Sequence, residues 1–370
     1  DREVNGPLRW SRDGASVYFT AEEFGRCHLW RYALASDAAP GEFHLAARGG
    51  WLQGFDVGGM SGQDIVVTAM DSANHPVQVH ARVYDAGGGG TPRRIEKFND
   101  RVLARCALGW VHEQQLLGAQ GDAVQMWLTY PPGFDPHATP KKKLPILHVI
   151  HGGPHAAAGD TFAFRWNSHL LASRGHVVAQ VNYHGSSGFG FAFRDSIMGR
   201  MGALELQDME AATDWLLKQP WADAKHVYAT GGSYGGYLVA WMNGHVAPGR
   251  YRAYICHAGV FDRVATWSAD SYTQRPLDLG ANYWGDMAQV MAQSPVTFAA
   301  NMHTPTLVIH GAQDFRVPDH NGLAYYNTLK ARGVEARLLW FADENHWILK
   351  ARNSKQWYGE FFDWLARHAG

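Results

Sequence analysis

Cysteine, charge and long apolar stretches are all scarce in this sequence of 370 residues, and each shortage excludes a class of protein. The three cysteines, Cys27, Cys106 and Cys256, are far apart and form no C-x-x-C pair, which excludes a disulfide framework and a cysteine zinc site. We expect all three to be buried thiols. Charged residues make up 18% of the chain and the net charge is -1, so the overall charge gives no general electrostatic attraction to nucleic acid or anionic lipid. No apolar run approaches the roughly 18 residues of a membrane helix, and no signal segment opens the chain.

Apolar and aromatic residues, by contrast, are abundant. They account for 46% and 13% of the chain, enough for a large buried core. The length predicts a large domain together with a smaller one.

The first part of the chain, residues 1–110, reads as short strands broken by turns. The pattern repeats after some 40 to 50 residues, which is typical of the four-stranded blades of a β-propeller. Two blades cannot close a ring, and the chain begins at Asp1 rather than Met. We therefore expect a partial propeller whose remaining segment, absent from this chain, would complete the domain. A small all-β domain that stands alone is the alternative. The predicted strands are Leu8–Trp10, Ser16–Thr20, His28–Tyr32, Ile65–Ala69 and Gln78–Tyr84, with a flexible link at Gly87–Gly90.

The second part, residues 111–370, has the pattern of the α/β class. From about Ala123, short apolar strands alternate with helices, which predicts a mostly parallel, doubly wound sheet. The clearest helix is Ala203–Gln219, whose apolar residues recur at helical spacing before Pro220. The run Lys141–Lys143 is expected in an exposed turn. The predicted strands are Val124–Tyr130, Leu144–Ile150, His176–Asn182, His226–Thr230, Ala253–His257, Thr306–His310 and Arg337–Phe341.

Ser233 is the candidate nucleophile. It lies at the centre of G-x-S-x-G between Gly231 and Gly235, after a predicted strand and before a segment that can start a helix. This context is typical of the sharp turn that presents a serine in the α/β-hydrolase fold, where small neighbours prevent clashes. A glycine-rich turn with an inactive serine is the alternative.

The acid and the base of such a site follow the nucleophile in the chain, in loops after later strands. Asp314 follows the strand Thr306–His310, and His346 follows the last strand. His346 can take the serine proton while Asp314 orients its ring. Asp343 and Glu344, next to His346, are rival acids.

Backbone N–H groups are the expected donors of an oxyanion hole. Tyr234, directly after the nucleophile, supplies one, and Gly153 in His151-Gly152-Gly153-Pro154-His155 supplies the second. A metal site formed by His148, His151 and His155 is a weak alternative, because no carboxylate motif completes it. We expect neither a metal nor an organic cofactor.

Five motifs in this order resemble the prolyl oligopeptidase family of serine peptidases, above all its acylaminoacyl-peptidase and dipeptidyl peptidase 5 branch. They extend over some 200 residues, and members of that branch have a β-propeller before the hydrolase domain. The motifs are His151-Gly152-Gly153-Pro154, Asn182-Tyr183-His184-Gly185-Ser186-Ser187-Gly188-Phe189-Gly190, Gly231-Gly232-Ser233-Tyr234-Gly235-Gly236-Tyr237, His310-Gly311-Ala312-Gln313-Asp314-Phe315-Arg316-Val317-Pro318 and Glu344-Asn345-His346-Trp347.

The resemblance implies a triad of Ser233, Asp314 and His346, and an oxyanion hole of Gly153 and Tyr234. It also implies that Arg316 binds a peptide carbonyl of the substrate, for which a guanidinium is suited; a loop salt bridge is the alternative. Many relatives have arginine where this chain has His184, which makes His184 a candidate substrate contact. Trp267, Tyr283 and Trp284 lie in a segment without a match, where they can line a pocket or simply pack.

The expected activity is therefore release of dipeptides or acylated amino acids from short peptides through an acyl-enzyme. An esterase or a specialised amidase or isopeptidase is the alternative on the same scaffold, and a silent binding module is a further one. Short peptides are the expected partners, with no nucleic acid and no membrane. The oligomeric state stays open, a homo-oligomer included, as does a cytoplasmic or periplasmic location. We expect weak or poorly selective activity from this chain alone.

Overall fold

The computed structural model describes residues 1–36, 39–60, 62–85 and 88–369. Its N-terminal part is an antiparallel sheet of short strands that follow one another along the chain. The strands are β1 (Val4–Trp10), β2 (Ser16–Glu22), β3 (Cys27–Ala33), β4 (Glu42–Ala47), β5 (Trp51–Met60), β6 (Gln63–Ser72), β7 (His75–Asp85), β8 (Gly88–Gly89) and β9 (Arg93–Arg94).

These strands form two blades of a β-propeller. In the first blade β1 to β4 pair in sequence, and in the second β5, β6 and β7 pair in sequence with the short β8 and β9 beside β7. Among the described strands, the backbone pairing between the blades is the parallel pair of Cys27 with Trp51, and side-chain bonds such as that of the Tyr18 hydroxyl to Asp64 also join them. Alternating inward residues such as Tyr18, Leu29 and Val66 are buried and form a separate small core. This confirms the prediction of an all-β propeller segment.

The blades differ from the prediction in detail. Strands β4 and β5 were not predicted. Within the predicted link, Gly88 and Gly89 form β8 against β7, while Gly87 lies outside the described residues.

The C-terminal part is a second sheet with helices on both faces. Its strands are β10 (Val111–Leu117), β11 (Ala123–Thr129), β12 (Leu144–Ile150), β13 (Val177–Asn182), β14 (Ala222–Gly232), β15 (Ala253–His257), β16 (Thr306–Gly311) and β17 (Ala336–Phe341). Helix α1 (Asp100–Leu103) lies between the two sheets along the chain. The helices of the C-terminal part are α2 (Ser168–Ala172), α3 (Phe191–Asp195), α4 (Ala203–Leu217), α5 (Tyr234–His245), α6 (Arg275–Leu279), α7 (Met287–Met291), α8 (His320–Ala331) and α9 (Ala351–Arg367), with 3-10 turns at Ala119–Gly121, Ala265–Ser268 and Pro295–Asn301.

The strand order within the described part is β10-β11-β13-β12-β14-β15-β16-β17. Only the pairings of β11 with β10 and with β13 are antiparallel. The carboxyl ends of the parallel strands therefore meet at one edge, where ligand sites of open α/β sheets form. This is the α/β-hydrolase fold that the sequence predicted.

Each face of this sheet has its own apolar core. On β12, Ile146 and Ile150 pack into the core that holds α4, α5 and α8, whereas Leu147 and Val149 pack against α2 and α9. This alternation explains why the parallel strands read as continuous apolar runs.

Two details of this part differ from the predictions. Cys27 and Cys256 are buried as expected, but Cys106 is exposed, so that part of the prediction is wrong. Strand β10 was not predicted either, because its sequence VHEQQLL is mostly polar. Among the described residues, no helix has both the length and the apolar character needed to cross a bilayer.

Candidate active site

Ser233 occupies a sharp turn between β14 and α5. Its backbone has φ 60° and ψ -119°, a strained conformation for a residue with a side chain. The glycines around it allow this turn, since a Cβ at Gly235 would lie 2.2 Å from the carbonyl oxygen of Ile150. The Ser233 N–H donates to the His257 carbonyl oxygen at 3.0 Å, which ties the turn to the neighbouring strand β15.

Asp314 and His346 form a buried pair at the same edge of the sheet. His346 Nδ1 donates to Asp314 Oδ2 at 2.6 Å. The other oxygen, Oδ1, accepts the N–H groups of Arg316 and Val317 at 2.9 and 2.8 Å. Burial by itself would raise the pKa of Asp314, but hydrogen bonds from His310 and His346 outweigh it and lower this pKa. Asp314 is therefore a carboxylate at neutral pH.

The rival acids are engaged elsewhere. Asp343 accepts hydrogen bonds from Lys350 and Asn353. Glu344 accepts the N–H groups of Leu349 and Lys350, and so holds the turn after His346. The structure thus pairs the His346 ring with Asp314.

Ser233 and His346 both line one cavity of 660 Å³. Within the described residues, however, no hydrogen bond joins the Ser233 hydroxyl to the His346 ring. Such bonds often tighten only when a substrate is bound. The distance between the Ser233 and His346 side chains therefore depends on the turn after β14 and the loop after β17, which carry them.

The candidate oxyanion hole faces Ser233. Gly153 lines the cavity with φ +124°. A Cβ added to its neighbour Gly152 would lie 3.2 Å from Ser233 Cβ, so the backbone of this loop approaches the nucleophile closely. Tyr234 is the first residue of α5, and its N–H therefore has no partner within the helix.

Arg316 also lines the cavity, and its side chain is about half exposed. Its Nη1 lies 3.4 Å from Asp270 Oδ1. Among the described residues that line the cavity, Asp270 is the one that carries a carboxylate. Asp270 was not predicted as a site residue, because it belongs to the segment that matched no motif.

The structure does not bring His184 to the cavity. This residue is 1% exposed; its Nδ1 contacts Asp208 Oδ2 at 2.7 Å and its Nε2 contacts Asp122 Oδ2 at 3.1 Å. Both nitrogens are therefore occupied within the protein, and the two carboxylates raise the pKa of His184 although burial alone would lower it. His184 is therefore not among the proposed substrate contacts.

Trp267, Tyr283 and Trp284 form a cluster of their own. Their rings meet edge to face at centroid distances of 4.9 to 6.1 Å. None of them is among the described residues that line the cavity, which is walled by other aromatic side chains, Trp166, Phe315 and Trp347. Trp267 and Tyr283 pack against the main core. Their position therefore favours the alternative in which these three side chains pack against the protein and do not line the pocket.

The three histidines of the alternative metal site have separate partners. His148 Nε2 bonds Thr213, His151 Nε2 bonds Ser186, and His155 Nδ1 bonds the Gly185 carbonyl oxygen. Burial lowers the pKa of His151 to about 4. Among the residues with described positions, no group of three or more His, Cys, Asp or Glu side chains is arranged to hold a metal ion.

Two buried groups beneath the site were not predicted. Glu205 accepts a hydrogen bond from the Tyr234 hydroxyl, directly below the turn of the nucleophile. His257 lies between Ser233 and His346 and contacts both main chains. No sequence motif marks either residue, because each acts through contacts between distant parts of the chain.

The fold and the cavity define an α/β-hydrolase protein with a serine on a strained turn beside an Asp–His pair. Residues 162–370 match the prolyl oligopeptidase family, and the chain belongs to that family.

Two relatives named as dipeptidyl-peptidases 5 align with much of this chain. It is 37% identical over 250 residues to a probable dipeptidyl-peptidase 5 of Aspergillus terreus. The aligned residues make up 67% of this chain and 34% of the relative. It is 29% identical over 367 residues to a dipeptidyl-peptidase 5 of Porphyromonas gingivalis, which covers 97% of this chain and 51% of the relative. The chain thus spans between a third and about half of the length of these relatives.

Solved structures show the same fold. An acylaminoacyl peptidase of Pyrococcus horikoshii superposes with a TM-score of 0.85 at 24% identity, over 100% of this chain and 56% of the other. Dipeptidyl peptidase 4 of Porphyromonas gingivalis superposes with a TM-score of 0.80 at 21% identity, over 99% of this chain and 50% of the other.

Proposed function

We propose that this chain carries the catalytic machinery of a serine peptidase that cleaves short peptides near their N-terminus. The observation that carries the proposal is the buried 2.6 Å bond between His346 and Asp314 in a cavity shared with Ser233. Relatives named dipeptidyl-peptidase 5 support the same activity.

In this mechanism Ser233 Oγ attacks the scissile carbonyl carbon and passes its proton to His346 Nε2. Asp314, a carboxylate bound to Nδ1, fixes the tautomer and stabilises the imidazolium. His346 then gives the proton to the leaving amine, and an acyl-enzyme remains on Ser233. A water molecule, deprotonated by His346, attacks the acyl carbon; the bond to Ser233 Oγ then breaks, His346 returns the proton to Oγ, and the acid product leaves.

The N–H groups of Gly153 and Tyr234 stabilise the oxyanion of both tetrahedral intermediates. Such donors act strongly because they are already oriented before the reaction. Arg316 binds a peptide carbonyl of the substrate through its exposed guanidinium.

We further propose that a free N-terminus is preferred over a blocked one. Asp270 brings a negative charge to the cavity wall beside Arg316. A carboxylate attracts the ammonium group of a free peptide, whereas a neutral acetyl group gains nothing from it. This favours release of dipeptides.

We also propose the division of the chain into a blade unit, residues 1–110, and a catalytic unit, residues 111–370. The second sheet begins with β10 at Val111, which supports this boundary.

The test is hydrolysis of free dipeptidyl amides, acetylated aminoacyl amides and a simple ester by the unaltered chain, Ser233→Ala and Asp270→Asn. We expect Ser233→Ala to lose about 10³-fold or more in kcat on every amide, because no other group supplies the nucleophile. Asp270→Asn should raise KM on free dipeptidyl amides and leave the acetylated substrates unchanged. Cleavage of the ester alone would instead indicate an esterase. Equal amide rates for the unaltered chain and Ser233→Ala would refute the peptidase.

A further inference from the structure

His257 is the last residue of β15 and lies directly beside the nucleophile turn. In the parallel pairing of β14 with β15, it is the partner of Gly232, the residue before Ser233. Its side chain is 2% exposed and packs edge to face against Trp166 at 5.1 Å and Trp357 at 6.2 Å. The ring is therefore held in one orientation beneath the cavity.

This residue contacts the main chains of both reacting groups. Its carbonyl oxygen accepts the Ser233 N–H at 3.0 Å. Its ring Nε2 lies 3.0 Å from the carbonyl oxygen of His346. One residue therefore joins the turn that holds the nucleophile to the irregular loop that holds the base.

The two ring contacts define the protonation state of His257. Trp357 Nε1, which can only donate, lies 3.1 Å from His257 Nδ1, so this nitrogen must be an acceptor. A carbonyl oxygen only accepts, so Nε2 must carry the hydrogen. The ring is then the neutral Nε2–H tautomer. Burial in the first place, and the nearby His346, His310 and Arg165, lower the pKa of His257 to about 3, which agrees with a neutral ring.

The spacing between Ser233 and His346 depends on such indirect contacts, since no hydrogen bond joins these two side chains among the described residues. Asp314 fixes the orientation of the His346 ring, but it leaves the position of the His346 main chain to other contacts. The Nε2–H of His257 is such a contact.

We propose that His257 is a positioning residue that sets the distance between Ser233 and His346. It neither touches the substrate nor exchanges a proton in the reaction. Its neutral ring donates to the His346 main chain, and its own main chain holds Ser233. The proposal rests on the proposed function, because it concerns how Ser233 and His346 act together.

The test compares His257→Met, which removes the donor, with His257→Gln, whose amide can restore it. The readouts are the rate at which a fluorophosphonate probe labels Ser233, the fraction of chains labelled at completion, and kcat and KM on a dipeptidyl amide. We expect His257→Met to slow labelling and kcat by roughly 10- to 100-fold per labelled site with KM little changed, since small displacements of reacting groups cost that much. His257→Gln should recover most of the loss.

The labelled fraction separates positioning from folding. A purely structural role would lower the labelled fraction and leave the rate per labelled site unchanged, and that result would overturn the proposal. If His257→Met does not fold, the same rates are measured for Trp357→Phe. This variant removes the donor that fixes the tautomer of His257, and we expect its labelling rate per labelled site to be a few-fold lower than that of the unaltered chain. An unchanged rate there would also overturn the proposal. Absence of labelling in the unaltered chain would refute the proposed function and this inference together, whereas equal labelling of the unaltered chain and His257→Met would refute this inference alone.

Discussion

The carboxyl group of Glu205 is buried below the turn that carries Ser233. Burial raises its pKa to about 7, although hydrogen bonds from Tyr234 and from the Gly202 N–H oppose the rise. Its Oε2 is buried without a hydrogen-bond partner among the described residues, so a proton there removes an uncompensated charge. Tyr234 links this carboxyl group to the nucleophile turn.

The raised pKa predicts how stability changes with pH. Between the ordinary glutamate pKa of 4.5 and about 7, the folded chain keeps a proton that the unfolded chain has lost, so the free energy of unfolding falls as the pH rises. We expect Glu205→Gln to lack this component, which amounts to a few kcal/mol. Urea unfolding near pH 5 and pH 8 measures it, with Glu42→Gln on the exposed strand β4 as the control. Parallel pH curves for Glu205→Gln and the unaltered chain would contradict the prediction.

Individual site residues were predictable where the chemistry has a fixed place in the fold. Ser233, Asp314 and His346 lie in the turn or loop that follows β14, β16 and β17, and parallel strands bring such positions to one edge. Asp270, Trp166 and His257 were not predictable in their roles. Their positions depend on the path of loops and on packing between distant segments, which periodicity does not record.

At the scale of elements, the contact between α5 and β12 determines whether the serine turn can form. A Cβ at Gly235 would lie 2.2 Å from the Ile150 carbonyl oxygen and 2.9 Å from that of His151. The helix can approach the strand this closely only because the residue is glycine.

Gly235→Ala should therefore displace α5 from β12. We expect a loss of about 1–3 kcal/mol in unfolding free energy from the clash, and a fall of about 100-fold in kcat from displacement of Ser233. Gly359→Ala in α9 is the matched control, because no heavy atom lies within 4 Å of its added Cβ. This control should gain about 0.5–1 kcal/mol, since alanine suits a helix better. Thermal unfolding and kcat measure both, and equal behaviour of the two variants would disprove the argument.

The elements that the sequence did not reveal share a physical reason. Strand β5 contains Gly54, Gly58 and Gly59, and β10 is rich in polar residues, so neither carries a clear alternation. Both are specified by pairing with neighbours, β5 with β6 and β10 with β11. Buried strands such as β12 and β15 were predicted to the residue because their own composition specifies them.

At the scale of the whole molecule, the blades form hydrogen bonds with the loop that follows β12. Asp71 Oδ2 accepts hydrogen bonds from the Thr161 hydroxyl at 2.8 Å and the Phe162 N–H at 3.2 Å. The Asp160 N–H donates to the Gly25 carbonyl oxygen at 2.8 Å. On the other side of the loop, Ala158 is bonded to the hydrolase sheet, as its N–H donates to Asn182 at 2.7 Å.

Asp71→Ala should loosen this loop and leave the contact between Asp314 and His346 intact. We expect a loss of about 1–3 kcal/mol in unfolding free energy, because the partly buried donors of Thr161 and Phe162 lose their acceptor, and a fall of about 10-fold in kcat. Asp56→Ala, an exposed carboxylate of the same sheet, is the control and should resemble the unaltered chain. Hydrogen exchange of residues 158–162 and kcat are the measurements. If both aspartate variants behave alike, the blades do not support the loop.

Because Gly153 and Ala158–Phe162 belong to one loop, contacts from both sheets support the loop of the proposed oxyanion hole. Ser233, Asp314 and His346 are anchored in the hydrolase sheet alone, so moving the blades apart from it disturbs the loop first. A bulky polypeptide that separates the two sheets would then meet the proposed triad intact but the proposed oxyanion hole displaced. In the proposed peptidase, a large substrate that separates the two sheets would lose this stabilisation of the oxyanion, so we expect the separated form to have little activity.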